Sequence, residues 1–394
     1  MVTQIFVDAI LRNYLERGDV MKRKCKGAVL MIAAVVLLAI ITGVVSGMRG
    51  GGDEDIFDPA NFTDIRQPLT LSEATPHGQI AVEHIEFIND NLYHRFGFSY
   101  REMETAKWLV EELLAMGYTW DYIEVQEHAF TDVEFFWIPL LEDTARLMMP
   151  IYFFLDQSPF VNFGIRESRQ SQNVILTVPG VSDQVIVVGA HYDSVMYPGA
   201  SDNASGMGLL LESAQRMLNI DNYYTIVYVF FGGEEVGLVG AIYYVGSLSE
   251  QEHENILFMI NADILFEGPD LFYMAGYDAN GQPGSNHITE TWDQIAMAMN
   301  AQHGITLNPW PEGVFGPSDQ LAFLPKGHTA MFMLGLDAPE GWTGEITDMN
   351  RVLHSSRDDF HYINETWPGK IDQNMWAFSV FLEELLLATY ENSY

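Results

Sequence analysis

The chain has 394 residues, 54 Asp and Glu against 19 Lys and Arg, a formal net charge of −35 and one cysteine. So acidic a surface repels nucleic acid and attracts cations, which sets nucleic acid aside as a partner. The length suits one large α/β domain with an accessory segment, and Cys25 alone leaves no disulfide within the chain.

Residues 1–26 carry six Lys or Arg against three Asp or Glu, and residues 27–47, GAVLMIAAVVLLAIITGVVSG, carry no charge. That run has the roughly 20 residues a helix needs to cross a bilayer. It also exceeds the apolar core of about 7–15 residues found in a cleaved signal peptide. The positive flank predicts residues 1–26 on the cytoplasmic side, 27–47 as a single transmembrane helix, and the rest outside the cell. Residues 48–72, rich in Gly and Asp, read as a tether, and 73–394 as the functional domain.

Within that domain the spacing predicts a helix over 73–92, with Ile80, Val82, Ile85 and Ile88 on its apolar face. A second helix is predicted from Arg101 to Met116, capped by Ser99 and stopped by Gly117. Residues 122–130 alternate like a strand. An apolar insertion follows around 131–165, where FFWIPLL and LMMPIYFFL are each too short to span a membrane. From Asn173 the rhythm is regular: VILTV, VIVV, a helix over 204–218, TIVYVFF, a helix over 239–248, ILFMI and LFYMA. Buried β-branched runs separated by helical stretches predict a mixed, mostly parallel sheet of about eight strands with helices on both faces. A helix over 287–299, a strand TAMFML and a long final helix over 372–390 complete the pattern.

Three of these strands end in groups able to bind metal. VIVVGA runs into His191 and Asp193, TIVYVFFGG into Glu234 and Glu235, and ILFMINA into Asp263. If they are parallel, all of these converge on one sheet edge, where open α/β folds place their sites. So many carboxylates in one place are costly without compensating cations. Asp202, ahead of the third helix, is a further ligand able to bridge, unless it or Asn203 merely caps that helix. His354 in RVLHSSRDD is the best second imidazole, ahead of His253, His328 and His361. Carboxylate and imidazole without thiolate suit Zn²⁺, or Mn²⁺ or Co²⁺ in a related geometry, and the set is large enough for two metals.

The combination GAHYDSV, PGASDNASG, FFGGEEVGLVGA, NAD and LHSSRDD resembles the co-catalytic di-zinc aminopeptidases, the family of aminopeptidase S, aminopeptidase Y and glutamate carboxypeptidase. The resemblance implies two zinc ions. His191 and Asp263 would hold one, Glu235 and His354 the other, and Asp202 would bridge them. It implies Glu234 as general base, acting with a hydroxide available at neutral pH, and Asp193 as the residue that orients His191. Two positions depart from the family. Ser318-Asp319-Gln320 stands where Ser-Asp-His is frequent, which makes Gln320 unusual, and Leu353 stands where some members carry a tyrosine that steadies the oxyanion.

The expected activity is that of a membrane-anchored extracellular exopeptidase acting on peptides, foremost an aminopeptidase. Its rivals are a carboxypeptidase, for which Arg351 and Arg357 are the basic candidates in the motif loops, a glutaminyl cyclase, and a catalytically inactive interaction domain. Trp310, Phe315 and Phe323 are candidates for an apolar substrate pocket or for plain packing. Side-chain preference and oligomeric state are not legible.

Overall fold

A computed structural model describes residues 56–63, 65, 67–72, 74–129, 170–195, 197–275, 286–309, 318–338 and 351–390. The apolar run 27–47, the insertion around 131–165, Trp310 and Phe315 lie outside them. Among the described residues no helix is long and apolar enough to cross a membrane.

Among the described residues eight strands form one sheet: β1 (Ile123–Ala129), β2 (Gln170–Val178), β3 (Ser182–His191), β4 (Tyr224–Phe231), β5 (Ile256–Ala262), β6 (Asp270–Ala275), β7 (Leu307–Pro309) and β8 (Ala330–Leu336). Their spatial order is β1-β2-β4-β3-β5-β8-β6-β7. Strands β4, β3, β5 and β8 form a parallel block at the centre. Strand β2 runs antiparallel to β1 and β4, and β6 antiparallel to β8. The run VILTV therefore belongs to an antiparallel strand. Its continuous apolar character reports that both faces are covered, which direction does not decide.

The helices are α1 (Gln79–Asn91), α2 (Tyr100–Met116), α3 (Ser205–Met217), α4 (Val239–Ser247), α5 (Glu250–Asn255), α6 (His287–His303), α7 (Phe360–Thr366) and α8 (Lys370–Leu387). Strand β3 shows how the layers arise. Ile186, Val188 and Ala190 face the larger core, shared with α1, α2, α3, α6 and α8. Val187 faces the smaller core, shared with α4 and the short turns around Leu321–Leu324. The fully buried Ile186, Val187 and Val188 side chains each stabilise the fold by roughly 1.5–3 kcal/mol.

Helix α2 matches its sequence signals, with the Ser99 hydroxyl accepting the Glu102 N–H and Gly117 at φ 111°. Helix α1 begins at Gln79, six residues later than expected. Gly78 sits at φ 80°, where a side chain would collide with the Met375 and Trp376 backbone of α8. The buried Glu212 carboxylate of α3 accepts the Gly78 and Ala81 N–H groups at 2.8 and 2.9 Å. It thus caps a helix more than a hundred residues away, and local spacing cannot show that.

The tether reading also changes in its second half. Phe57 and Phe62 are buried in the core, and Phe62 packs edge-on against Trp120 at 5.2 Å between ring centroids. The chain is therefore docked on the domain from about residue 56 onward.

Candidate metal centre

The parallel block places the ends of β4, β3 and β5 side by side. The β3 exit delivers His191 and Asp193, the β4 exit delivers Glu234 and Glu235, and the β5 exit delivers Asp263. Asp202 comes from a tight turn, Ala200–Ala204, that leads into α3, and His354 from the loop before α7.

His191 Nε2 lies 3.1 Å from Asp202 Oδ1 and 3.3 Å from Asp263 Oδ1. His354 Nε2 lies 3.0 Å from Asp202 Oδ2 and 3.1 Å from Glu235 Oε2. The donor atoms of His191, Asp202 and Asp263, and again those of Asp202, Glu235 and His354, lie within 4.8 Å of one another. Asp202 thus turns one oxygen to each group. Asp202 does not cap α3; Asn203 does, its side-chain oxygen accepting the Gly206 N–H at 2.8 Å while its amide donates to the Ala262 carbonyl at 2.9 Å.

Whether this site suits metal ions is tested by its own unmet polar atoms. Among the described residues, His191 Nε2, Glu235 Oε1 and Asp263 Oδ1 are buried with no partner in hydrogen-bonding geometry. Buried polar atoms are rarely left so, because each costs about 1–3 kcal/mol. Lone pairs converging from imidazole and carboxylate are what a divalent cation requires. The electrostatics agree. Burial opposes charge on His191, yet Asp263 and Glu234 push its pKa well above the ordinary value. Hydrogen bonds to Asp202 and Glu235 raise His354 to about 11. Burial, with Asp202 adding to it, raises the Glu235 carboxyl to about 7. Burial, with Glu235, Asp319 and Asp263 adding to it against His191, raises Glu234 well above its usual range. The site is short of positive charge, and two dications supply it.

Asp193 touches both His191 and the turn of the two glutamates. The closest partner of His191 Nδ1 is the Asp193 backbone carbonyl at 3.1 Å, with Asp193 Oδ1 at 3.5 Å. The same carboxylate also accepts the N–H groups of Glu234 and Glu235, at 3.0 and 3.1 Å. Asp193 therefore fixes the turn that carries both glutamates. Asp263 is held by the Ser318 hydroxyl, which donates to its Oδ2 at 2.8 Å. The Asn261 amide in turn donates to Ser318 and Gln320. Gln320, the departure from Ser-Asp-His, thus serves as an acceptor in this support.

Two supports had no strong signal in the sequence. Asp358 accepts the Ser201 and Asp202 N–H groups at 2.6 and 3.1 Å, tying the His354 loop to the Asp202 turn. Arg95 is fully buried and donates to the carbonyls of Tyr192, Leu92, Pro198 and Gly199, gripping the loop between His191 and Asp202. Strain marks the site as well, with His354 at φ 51° and Ile264, directly after Asp263, at φ 48°.

The competing histidines pair elsewhere, His253 with His328 at 2.9 Å and His361 with Asp90 at 2.8 Å. Phe323 is core, 6.1 Å from the rings of Tyr244 and His328.

Comparison with known proteins agrees with this geometry. A family model described as Peptidase family M28 matches residues 173–379. The chain is 30% identical over 245 residues to the alkaline phosphatase isozyme conversion protein of Escherichia coli strain K12, covering 53% of this chain and 70% of that one. It is 40% identical over 186 residues to aminopeptidase YwaD of Bacillus subtilis strain 168, covering 46% of this chain but 37% of the relative's length. In fold it is similar to BSAP, a zinc aminopeptidase from Bacillus subtilis, at a TM-score of 0.59 and 16% identity over 81% of this chain and 98% of that one.

Proposed function

The chain belongs to peptidase family M28 and is a metallopeptidase with a two-metal centre, and from that premise we propose that it is an aminopeptidase. His191 and Asp263 would hold one zinc and Glu235 and His354 the other, with Asp202 within reach of both groups. The observation that carries this reading is Asp202, whose two oxygens each face a different histidine at 3.1 and 3.0 Å. Zinc bound there would supply Lewis acidity for the hydrolysis.

The protein's own groups do the rest. Glu234 takes a proton from the attacking water and passes it to the leaving amine. Asp193 keeps Glu234 and Glu235 on one rigid turn, so base and ligand hold a fixed spacing. Arg95 and Asp358 fix the Asp202 turn, so that one carboxylate serves both ions. The acidic site suits a free α-ammonium better than a terminal carboxylate. Arg95, the buried cation beneath it, is committed to four backbone carbonyls and offers no clamp for an anion.

Activity is therefore expected to require a free substrate N-terminus. An aminoacyl anilide should be hydrolysed and its N-acetylated form left intact. Equal hydrolysis of both would overturn the aminopeptidase reading.

We further propose that residues 27–47 anchor the protein in the cell membrane with the catalytic domain outside. Six basic residues precede that uncharged run, and the chain beyond it is strongly acidic. Protease added to intact cells should remove residues 60–394, and the mature N-terminus should precede residue 27. Protection of that region, or a mature chain beginning near Met48, would contradict the anchor.

A further inference from the structure

Glu267, a buried acid at this edge of the sheet, belongs to neither metal group. It follows Asp263 by four residues, and neither carboxylate oxygen has a hydrogen-bond partner among the described residues. It is not among the residues whose donor atoms converge as metal ligands.

Its backbone, in contrast, is firmly held. Glu267 pairs with Leu336, the last residue of β8. Gly268 lies so close to the Leu336–Asp337 backbone that a side chain there would collide with it. The Asn374 amide of α8 donates to the carbonyls of Leu265 and Gly268, at 2.9 and 2.8 Å. The turn is therefore pinned on both sides of a carboxyl left without a partner. A side chain in that position costs stability unless something pairs with it.

Its place in the fold narrows what that is. Strand β8 is the next neighbour of β5 in the parallel block, so its carboxyl end, where Glu267 sits, adjoins the strand end that bears Asp263. Burial, with Asp358, Asp202 and Asp263 adding to it, pushes the Glu267 carboxyl well above its usual range. Cations bound at Asp202 and Asp263 oppose that push. Beside it lies a small apolar cluster of Phe272, Phe332, Leu334 and Leu336, with Ile264 packed against it. A lone carboxylate next to apolar surface suits a compact cation with N–H donors on an aliphatic stem, and a primary ammonium is that group.

We propose that Glu267 receives an ammonium group of the peptide substrate, forming a subsite at the β8 edge of the metal centre. This rests on the aminopeptidase reading. Two sources share the chemistry: the α-ammonium of the chain end and the side-chain ammonium of an N-terminal lysine.

Zinc-loaded parent and Glu267→Gln enzyme, compared on leucyl, lysyl and N-acetyl-leucyl anilides, test it. The amide should raise KM and lower kcat/KM about 10- to 100-fold, the size of a charged hydrogen bond. Zinc content should stay at the parent's value. Its melting temperature should not fall, because a buried unpaired acid has been removed. Equal losses on leucyl and lysyl substrates identify the α-ammonium, and a loss on the lysyl substrate alone identifies the side chain. Should the amide variant not fold, Glu267→Asp, which keeps the charge and withdraws it by one methylene, should raise KM on the same substrates at full zinc content. Kinetics within twofold of the parent on both free-amine substrates, or loss of zinc, would overturn the proposal. A parent enzyme that hydrolyses the N-acetyl substrate equally well would instead refute the aminopeptidase reading itself.

Discussion

Glu234→Gln is expected to lose about 10²–10⁴-fold in turnover while binding two zinc ions much as the parent does. The backbone of this turn is held from outside, because the Asp193 carboxylate accepts the N–H groups of both Glu234 and Glu235. Changing the Glu234 carboxylate to an amide therefore leaves the turn in place and removes proton transfer. Its neighbour should behave differently. Glu235 Oε2 lies 3.1 Å from His354 Nε2, and Oε1 is buried without a partner. Glu235→Gln removes a charged ligand, so zinc affinity should fall and excess zinc should restore part of the activity. Metal analysis and kinetics on both variants, with and without added zinc, check the pair of claims. Zinc loss in Glu234→Gln with retention in Glu235→Gln would reverse the two roles.

Arg95→Met should destabilise the domain by about 3–5 kcal/mol, the range seen when a buried charge loses its compensation. Methionine keeps much of the aliphatic length but none of the donors. The Gly199 carbonyl still receives the Ala204 N–H at 2.9 Å, whereas the Tyr192, Leu92 and Pro198 carbonyls lose the guanidinium N–H groups that reach them. Burial lowers the Arg95 pKa to about 10, against the pull of Asp358, Asp193, Asp202 and Glu235. It is therefore still charged at neutral pH, and those carboxylates would lose their internal cation. Arg95→Lys, with one ammonium in place of a planar fork, should fall between parent and methionine variant. Denaturant unfolding with saturating zinc and again with chelator measures the loss. A change below about 1 kcal/mol in both conditions would contradict this role for Arg95.

The strand ends were legible because their apolar runs are long, and a carboxylate or histidine straight after such a run is conspicuous. Helix α2 was legible too, since its cap and stop are local. What escaped the sequence depends on partners far along the chain. Arg95 meets its carbonyls about a hundred residues away, and Glu212 caps α1 across a similar separation. Asp193 follows His191 by two residues, so its contact with that ring is a local one. The parallel pairing of β3 with β4 also brings the Glu234–Glu235 turn beside the same carboxylate, and no spacing shows that. Helix α5 has no apolar stripe to announce it, although the capping box of Ser249 and Glu252 was there to be read. Glu267 sits in a loop without periodicity, and its significance lies in lacking a partner, which only a folded chain reveals.

The zinc content of the purified full-length protein, measured per chain after removal of loosely bound metal, bears most directly on the two-metal centre. Two ions per chain are predicted, since His191 with Asp263 and His354 with Glu235 flank Asp202 from opposite sides. One ion, or none, would contradict it.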